Sequence, residues 1–245
     1  GLSIGATAVV ARRIGEKDEE GAAEAAVQAI GVGLLVAVTI GVLGAVYARE
    51  LLTAMGATPS MLASSLGYAQ TMLGWNVTVT LLFLTNAVFR GAGDAALAMR
   101  MLVVSNVINL LLDPCLIFGL GPFPALGVTG AAIATNIGRG TAVVVQLWVL
   151  LGGRSRVPAG LRHLRIVPGV MWTICRLSGA GFLQVLIDTS SWIGLVRVIS
   201  TFGSDALAGY TIGIRVLLFA ILPAWGLSNA AATMVGQSLG AGKPE

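Results

Sequence analysis

Long apolar runs, each closed by a short polar or charged link, alternate along this chain. A run from Gly1 to Val10 ends at Arg12-Arg13, a charged stretch from Glu16 to Glu20 follows, and the next run extends from about Ala25 to Ala48. Further runs cover 61–89, 96–119, 127–152, 177–202 and 206–238, and the links between them carry Gly, Pro or charge. A helix needs roughly 20 apolar residues to cross a hydrocarbon core of about 30 Å. The pattern therefore predicts an all-α polytopic membrane protein with six full spans and one partial span.

Composition agrees with that solvent. Hydrophobic residues make up 56% and charged residues 11% of the chain, whereas soluble domains carry about 25% charged residues. The 33 glycines suit close helix packing in a bilayer, as Gly209 and Gly213 would in a GxxxG step. Cys115 and Cys175 fall in separate apolar runs and read as packing residues. With His163 as the only histidine, no Cys/His metal cluster is expected. One histidine in a basic link, and no paired carboxylates on one helix, argue against an enzyme and against a cofactor. The chain opens without Met and stops at Gly242-Lys243-Pro244-Glu245, as a fragment cut at both ends would.

Charge gives the orientation. One set of alternate links holds Arg12, Arg13, Lys17, Arg90, Arg100, Arg154, Arg156, Arg162, Arg165 and Lys243, and the other holds only Arg49. Positive residues are retained in the cytoplasm, so the first set is predicted to lie on the cytoplasmic side of the inner (plasma) membrane. The net charge of +4 forms no patch with exposed aromatics, which excludes nucleic acid as a partner. The expected surroundings are a lipid bilayer.

The link 153–168 is the longest and most basic. Val157, Leu161 and Leu164 recur there at helical spacing with Arg162, His163 and Arg165 between them, which fits a helix on the membrane surface or a solvated loop. It divides the chain into a lobe at 1–152, a cytoplasmic interlobe linker at 153–168, and the start of a second lobe at 169–245. A repeat supports the division. Gly1-Leu2-Ser3 returns as Gly226-Leu227-Ser228, Val10 meets Val235, Gly15 meets Gly240 and Glu20 meets Glu245. A period of six spans gives two lobes of like orientation about an axis along the membrane normal, and a 6+6 bundle in the intact protein.

Five ionisable residues lie within the spans: Asp113, Arg139, Asp188, Arg197 and Arg215. Each costs about 2.5–3.5 kcal/mol at mid-membrane, so each is expected to face a cavity, a partner or a transport path. Asn109 precedes Asp113 by one turn, and both offer oxygens to a small cation such as Na⁺. At about 1.5 Å per residue, Asp113 lies roughly 20 Å above Arg100 and Thr135 roughly 12 Å below the opposite surface, nearly one level. A helix end at Asp113, enforced by Pro114, is the other reading. Arg139 continues the stripe Ala131, Thr135 by one turn and is expected to form an ion pair, with Asp113 within its reach. Asp188 follows Gln184 by one turn; it either couples transport, by taking up and releasing protons, or forms a salt bridge to Arg215. The polar residues Trp75, Asn76, Thr78, Thr80, Thr85 and Asn86 in the 61–89 run either line a pore or bond neighbouring helices. Pro223 predicts a kink, and Asp94 among glycines a loop turn.

Four segments resemble the multidrug and toxic compound extrusion family. They are Ala11-Arg12-Arg13-Ile14-Gly15-Glu16-Lys17-Asp18, Arg90-Gly91-Ala92-Gly93-Asp94, Asn109 through Gly119 (NLLLDPCLIFG) and Gly127 through Thr135 (GVTGAAIAT). The resemblance covers essentially the whole chain and implies the stretch from the end of the second span to the end of the eighth of twelve. It implies a monomeric antiporter that exports cationic or amphipathic small molecules in exchange for Na⁺ or H⁺ by alternating access. Carried over, the first-lobe cation site is Asn109, Asp113, the Ala131 carbonyl and Thr135, with a further acidic ligand on a first span outside this chain. Some members carry a glutamate in the span where Asp188 stands here. A flippase for lipid-linked precursors, from the same wider superfamily, is the alternative. It would need a basic cavity, for which Arg139, Arg197 and Arg215 are available.

Overall fold

The computed structural model describes residues 1–54, 59–153, 155–157, 159, 160, 163 and 165–243. Among them the regular elements are helices, in the order α1 (Leu2–Gly15), α2 (Glu19–Val46), α3 (Ala48–Ala54), α4 (Pro59–Gly74), α5 (Asn76–Gly91), α6 (Ala95–Phe118), α7 (Val128–Leu151), α8 (Pro168–Ser200) and α9 (Ser204–Gly240). Helices α2, α6, α7, α8 and α9 are each long and apolar enough to cross a membrane, and α4 and α5, bent by 44° at their junction, are so only when taken together. Helix α1, at 14 residues, is the partial span. The 61–89 run thus holds a break at Trp75 that its continuous hydropathy conceals. The fifth full span starts at Pro168 rather than 177, because Pro168 occupies the first helical turn, where its missing N–H costs nothing.

Caps fix the short links. The Asp18 side chain accepts from the Gly21 N–H at 2.8 Å and starts α2. Asp94, expected in a loop turn, starts α6 by accepting from the Leu97 N–H at 3.1 Å. Gly119 ends α6 with φ +73°, a left-handed conformation open to glycine.

The faces of α2 follow membrane logic. Its buried residues are mostly small, among them Ala22, Ala26, Ala29, Gly33, Ala37, Gly41 and Gly44, while Leu35, Val42 and Leu43 stand exposed. In lipid the large apolar side chains gain nothing by turning inward, and small ones let helices approach. Helix α1 runs through the middle, against α2, α5, α8 and α9. A core of Val10, Ala22, Ala26, Val88, Phe89 and Leu150 gathers at the end where the basic links lie.

The link after α7 is pinned to α2. The buried Gln28 amide donates to the Arg165 carbonyl at 2.7 Å. His163 Nδ1 accepts from the Gly160 N–H at 2.9 Å, so Nε2 carries the proton and donates to Glu20 at 2.6 Å. Of the expected surface helix, Leu161, Arg162 and Leu164 lie outside the described residues, as does Arg154. Val157 lies buried in the core.

At the same basic end α1 and α9 touch backbone to backbone. A side chain on Gly15 would strike the Gln237 carbonyl, and one on Gly240 would strike the Arg12 carbonyl. Gln237 and Gly240 follow Arg12 and Gly15 by the offset of the repeat, so the two contacts are reciprocal. Gln237 also donates to the Gly91 carbonyl at 3.0 Å, tying α9 to the end of α5.

Candidate ion-coupling site

Two glycines of α7 allow the site to form. A Cβ on Gly130 would strike the Leu116 carbonyl, and one on Gly138 the Ser105 carbonyl, so α6 and α7 lie in backbone contact above and below Thr135. Between these contacts the Asn109 amide nitrogen donates to Asp113 Oδ1 at 3.0 Å and to Thr135 Oγ1 at 3.2 Å. One amide thus spends both of its protons in joining a carboxylate on its own helix to a hydroxyl on the next. Asn109 Oδ1 and the second Asp113 oxygen remain as acceptors, and Ala131 adds a backbone carbonyl one turn from Thr135. All of these are hard oxygen donors, suited to a small hard cation. Asn109, Asp113, Ala131 and Thr135 are each partly buried.

Helix α6 does not end at Asp113. Pro114 lies inside it, and the helix continues to Phe118, so the helix-end reading fails. The proline removes one N–H from the ladder and leaves the Leu110 carbonyl without its helical donor, beside the cluster.

Neither expected ion pair forms among the described residues. The contacts of Gly130 with Leu116 and of Gly138 with Ser105 set the antiparallel register, which places Arg139 roughly 9–14 Å below Asp113 along the axis, with Asn109 and Thr135 between. Asp188 and Gln184 lie on an exposed stretch of α8, and Arg215 is exposed on α9. Helix α8 packs on α1 as far as Gly181, beside Gly1 and Ile4. Its next turns, where Asp188 stands, are exposed.

The MatE family model matches residues 1–115 and 181–245. The chain belongs to the MatE family. This MatE chain is 27% identical, over 98% of its length, to a probable multidrug resistance protein, YoeA, of Bacillus subtilis, and covers 53% of it. It is 25% identical over its full length to an FAD transporter of Shewanella oneidensis, 54% of which it covers. It superposes at TM-score 0.91 and 28% identity on a MOP superfamily transporter from Pyrococcus furiosus, described for the reverse polarity of its binding pocket, over 99% of this chain and 53% of that one. The MatE chain spans about half the length of the curated relatives it matches.

The polar face of the 61–89 run bonds neighbouring helices. Thr78 donates to Asn136 Oδ1 at 2.6 Å, Thr85 donates to Gln146 Oε1, and Gln146 donates to Asn86 Oδ1 at 2.7 Å. The two partners on α7, Asn136 and Gln146, were not singled out in the sequence. Each is a polar residue inside an apolar run, a signal weaker than a charge but of the same kind. Arg90 is placed differently from its position in the sequence pattern. Counted as a loop charge, it instead turns its side chain into a cavity between α1, α5 and α9.

Proposed function

We propose that this MatE chain is the larger part of one lobe and the start of a second in an exporter of cationic or amphipathic small molecules, driven by inward movement of Na⁺ or H⁺. The observation that carries this reading is the Asn109 amide bridging Asp113 and Thr135 across two helices in backbone contact. A carboxylate held within a membrane span among oxygen ligands binds a cation when the site is open to one side and releases it to the other. The set is incomplete by itself, since one carboxylate and neutral oxygens leave room for a further acidic ligand from outside this chain. In this reading the basic end is cytoplasmic, residues 153–168 link the lobes on that side, and the protein works as a monomer in the inner membrane. The reciprocal contact of α1 with α9 then closes the cytoplasmic side in this conformation, which leaves the cleft between the lobes open outward. Asp188, with Gln184 one turn away, is a second carboxylate that faces the rest of the protein.

The test is efflux of a cationic dye from vesicles holding the full-length protein, with a Na⁺ gradient and a proton gradient imposed separately. Export driven by one gradient supports the reading and names the ion. Export driven by neither, from correctly folded protein, contradicts it.

Arg139 lies one turn from Thr135 and forms no ion pair among the described residues. That favours a second reading in which the cargo carries negative charge, as in a flippase or in the relative named an FAD transporter.

A further inference from the structure

Arg90 is a partly buried cation with no side-chain partner among the described residues. It lies in the last turn of α5, where a basic residue ordinarily turns outward to water and the helix terminus. Here its side chain lines a cavity of about 140 Å³ together with Ser3 and Thr7 of α1 and Asn229 of α9. Its Nε is out of reach of solvent and has no hydrogen-bond acceptor. No carboxylate among the described residues pairs with it. The desolvated Nε–H is a cost that an acceptor of negative charge would offset.

The chemistry of the walls fits an oxyanion. Thr7 gives its proton to the Ala87 carbonyl at 3.2 Å, and Asn229 gives one amide proton to the Trp225 carbonyl at 2.8 Å. The second Asn229 amide proton and the Ser3 hydroxyl remain as donors beside the guanidinium. The volume is below the roughly 300 Å³ at which pockets begin to hold whole drug-sized ligands. It suits one charged group, with the rest of the molecule left in the cleft above. The cavity is shared between the lobes of the proposed transporter: α1 and α5 belong to the first and α9 to the second. Along α1 and α9 it lies on the side of the Ala11–Gly236 contact away from the basic end, which in the proposed exporter is the floor of the cleft.

We propose that Arg90, with Ser3 and Asn229, forms a subsite for the carboxylate or phosphate group of an amphipathic anion or zwitterion. This rests on the reading of the protein as an exporter with its cleft between two lobes, and extends its cargo beyond cations. An anion held there bridges the two lobes, so it would bind when the basic end is closed and be lost when α1 and α9 separate. The same chemistry is offered by a solute within the cleft and by an anionic lipid headgroup.

Two xanthene dyes of opposite charge separate the outcomes, anionic carboxyfluorescein and cationic rhodamine 6G, with full-length protein in phosphatidylcholine nanodiscs. Saturable binding of carboxyfluorescein by fluorescence polarisation is expected, weakened about tenfold or more in Arg90→Gln and partly restored in Arg90→Lys. Ala232→Leu, which fills the cavity and keeps the charge, should weaken it too. It also covers the case in which Arg90→Gln does not fold. Competition by added phosphatidylglycerol would make the lipid headgroup the source of the oxyanion, and its absence would make it a solute. Carboxyfluorescein binding that is missing, or indifferent to both Arg90→Gln and Ala232→Leu, overturns the subsite. Rhodamine 6G efflux by wild-type protein reports separately on the exporter reading, so the two fail independently.

Discussion

Asn109 does at residue scale what a carboxylate alone cannot. A lone Asp113 would be free to turn its oxygens to any neighbour, whereas the amide holds one of them and leaves the other open to the proposed cation. Thr135, on the facing helix, shares that amide, so the proposed ion ligands of α6 and α7 keep one relative position. Hydrogen bonds that orient a ligand in this way are worth about tenfold or more in ion affinity at metal sites. Asn109→Ala should therefore raise the ion concentration for half-maximal efflux about tenfold, whereas an unchanged ion dependence would reduce Asn109 to packing. The chain Thr85, Gln146, Asn86 has the opposite expectation, since it lies buried and ties α5 to α7 without free oxygens facing a cavity. Gln146→Leu should lower stability by about 1 kcal/mol, read as a lower thermal midpoint of the full-length protein, and leave the ion dependence of transport alone. Which polar residues would matter was only partly legible. Asn109 and Asp113 announce themselves by spacing and charge. Asn136 and Gln146 are neutral and widely spaced, and Arg90 reads as a loop charge because a sequence gives the position of Cα and not of the guanidinium.

At the scale of elements, the spans were legible because lipid permits little else: about 20 apolar residues must come in a row, and their links must be polar. Features that lipid does not dictate were not. The bend at Trp75 leaves hydropathy unchanged across α4 and α5. Pro114 suggested an ending, yet α6 passes through it because its neighbour α7 supports the helix on both sides, at Gly130 and Gly138. The crossing of α1 and α9 was foreshadowed by the repeat of Gly15 as Gly240, although nothing in the spacing said that the two copies would touch. Because each glycine faces a backbone carbonyl that has no rotamer to yield, Gly240→Leu should force the basic ends apart. Full-length protein with Cys115 and Cys175 changed to Ser, and Ala8→Cys as reporter, should then label faster with an impermeant maleimide from the basic side. Equal labelling with and without Gly240→Leu would mean that these helices do not hold that side shut.

For the whole molecule, the two ideas that matter are a shared ion site within the first lobe and a closure between the lobes. The residues of the proposed site in this chain lie on α6 and α7, while the α1–α9 contact lies at the basic end, and α5 packs against all four of these helices. Occupancy of the site by an ion would thus be felt at the closure through rigid helices in contact. The present chain covers only about half of the relatives it matches, and the proposed reading takes a further acidic ligand from the remainder. The most direct test of the central claim is Asp113→Asn in the full-length transporter, reconstituted in vesicles and followed by dye efflux under a Na⁺ or a proton gradient, beside equilibrium dye binding. The account predicts that the variant folds and binds dye while its gradient-driven efflux is lost. Efflux that responds to the gradient as in the wild type would contradict it and remove α6 and α7 from ion coupling.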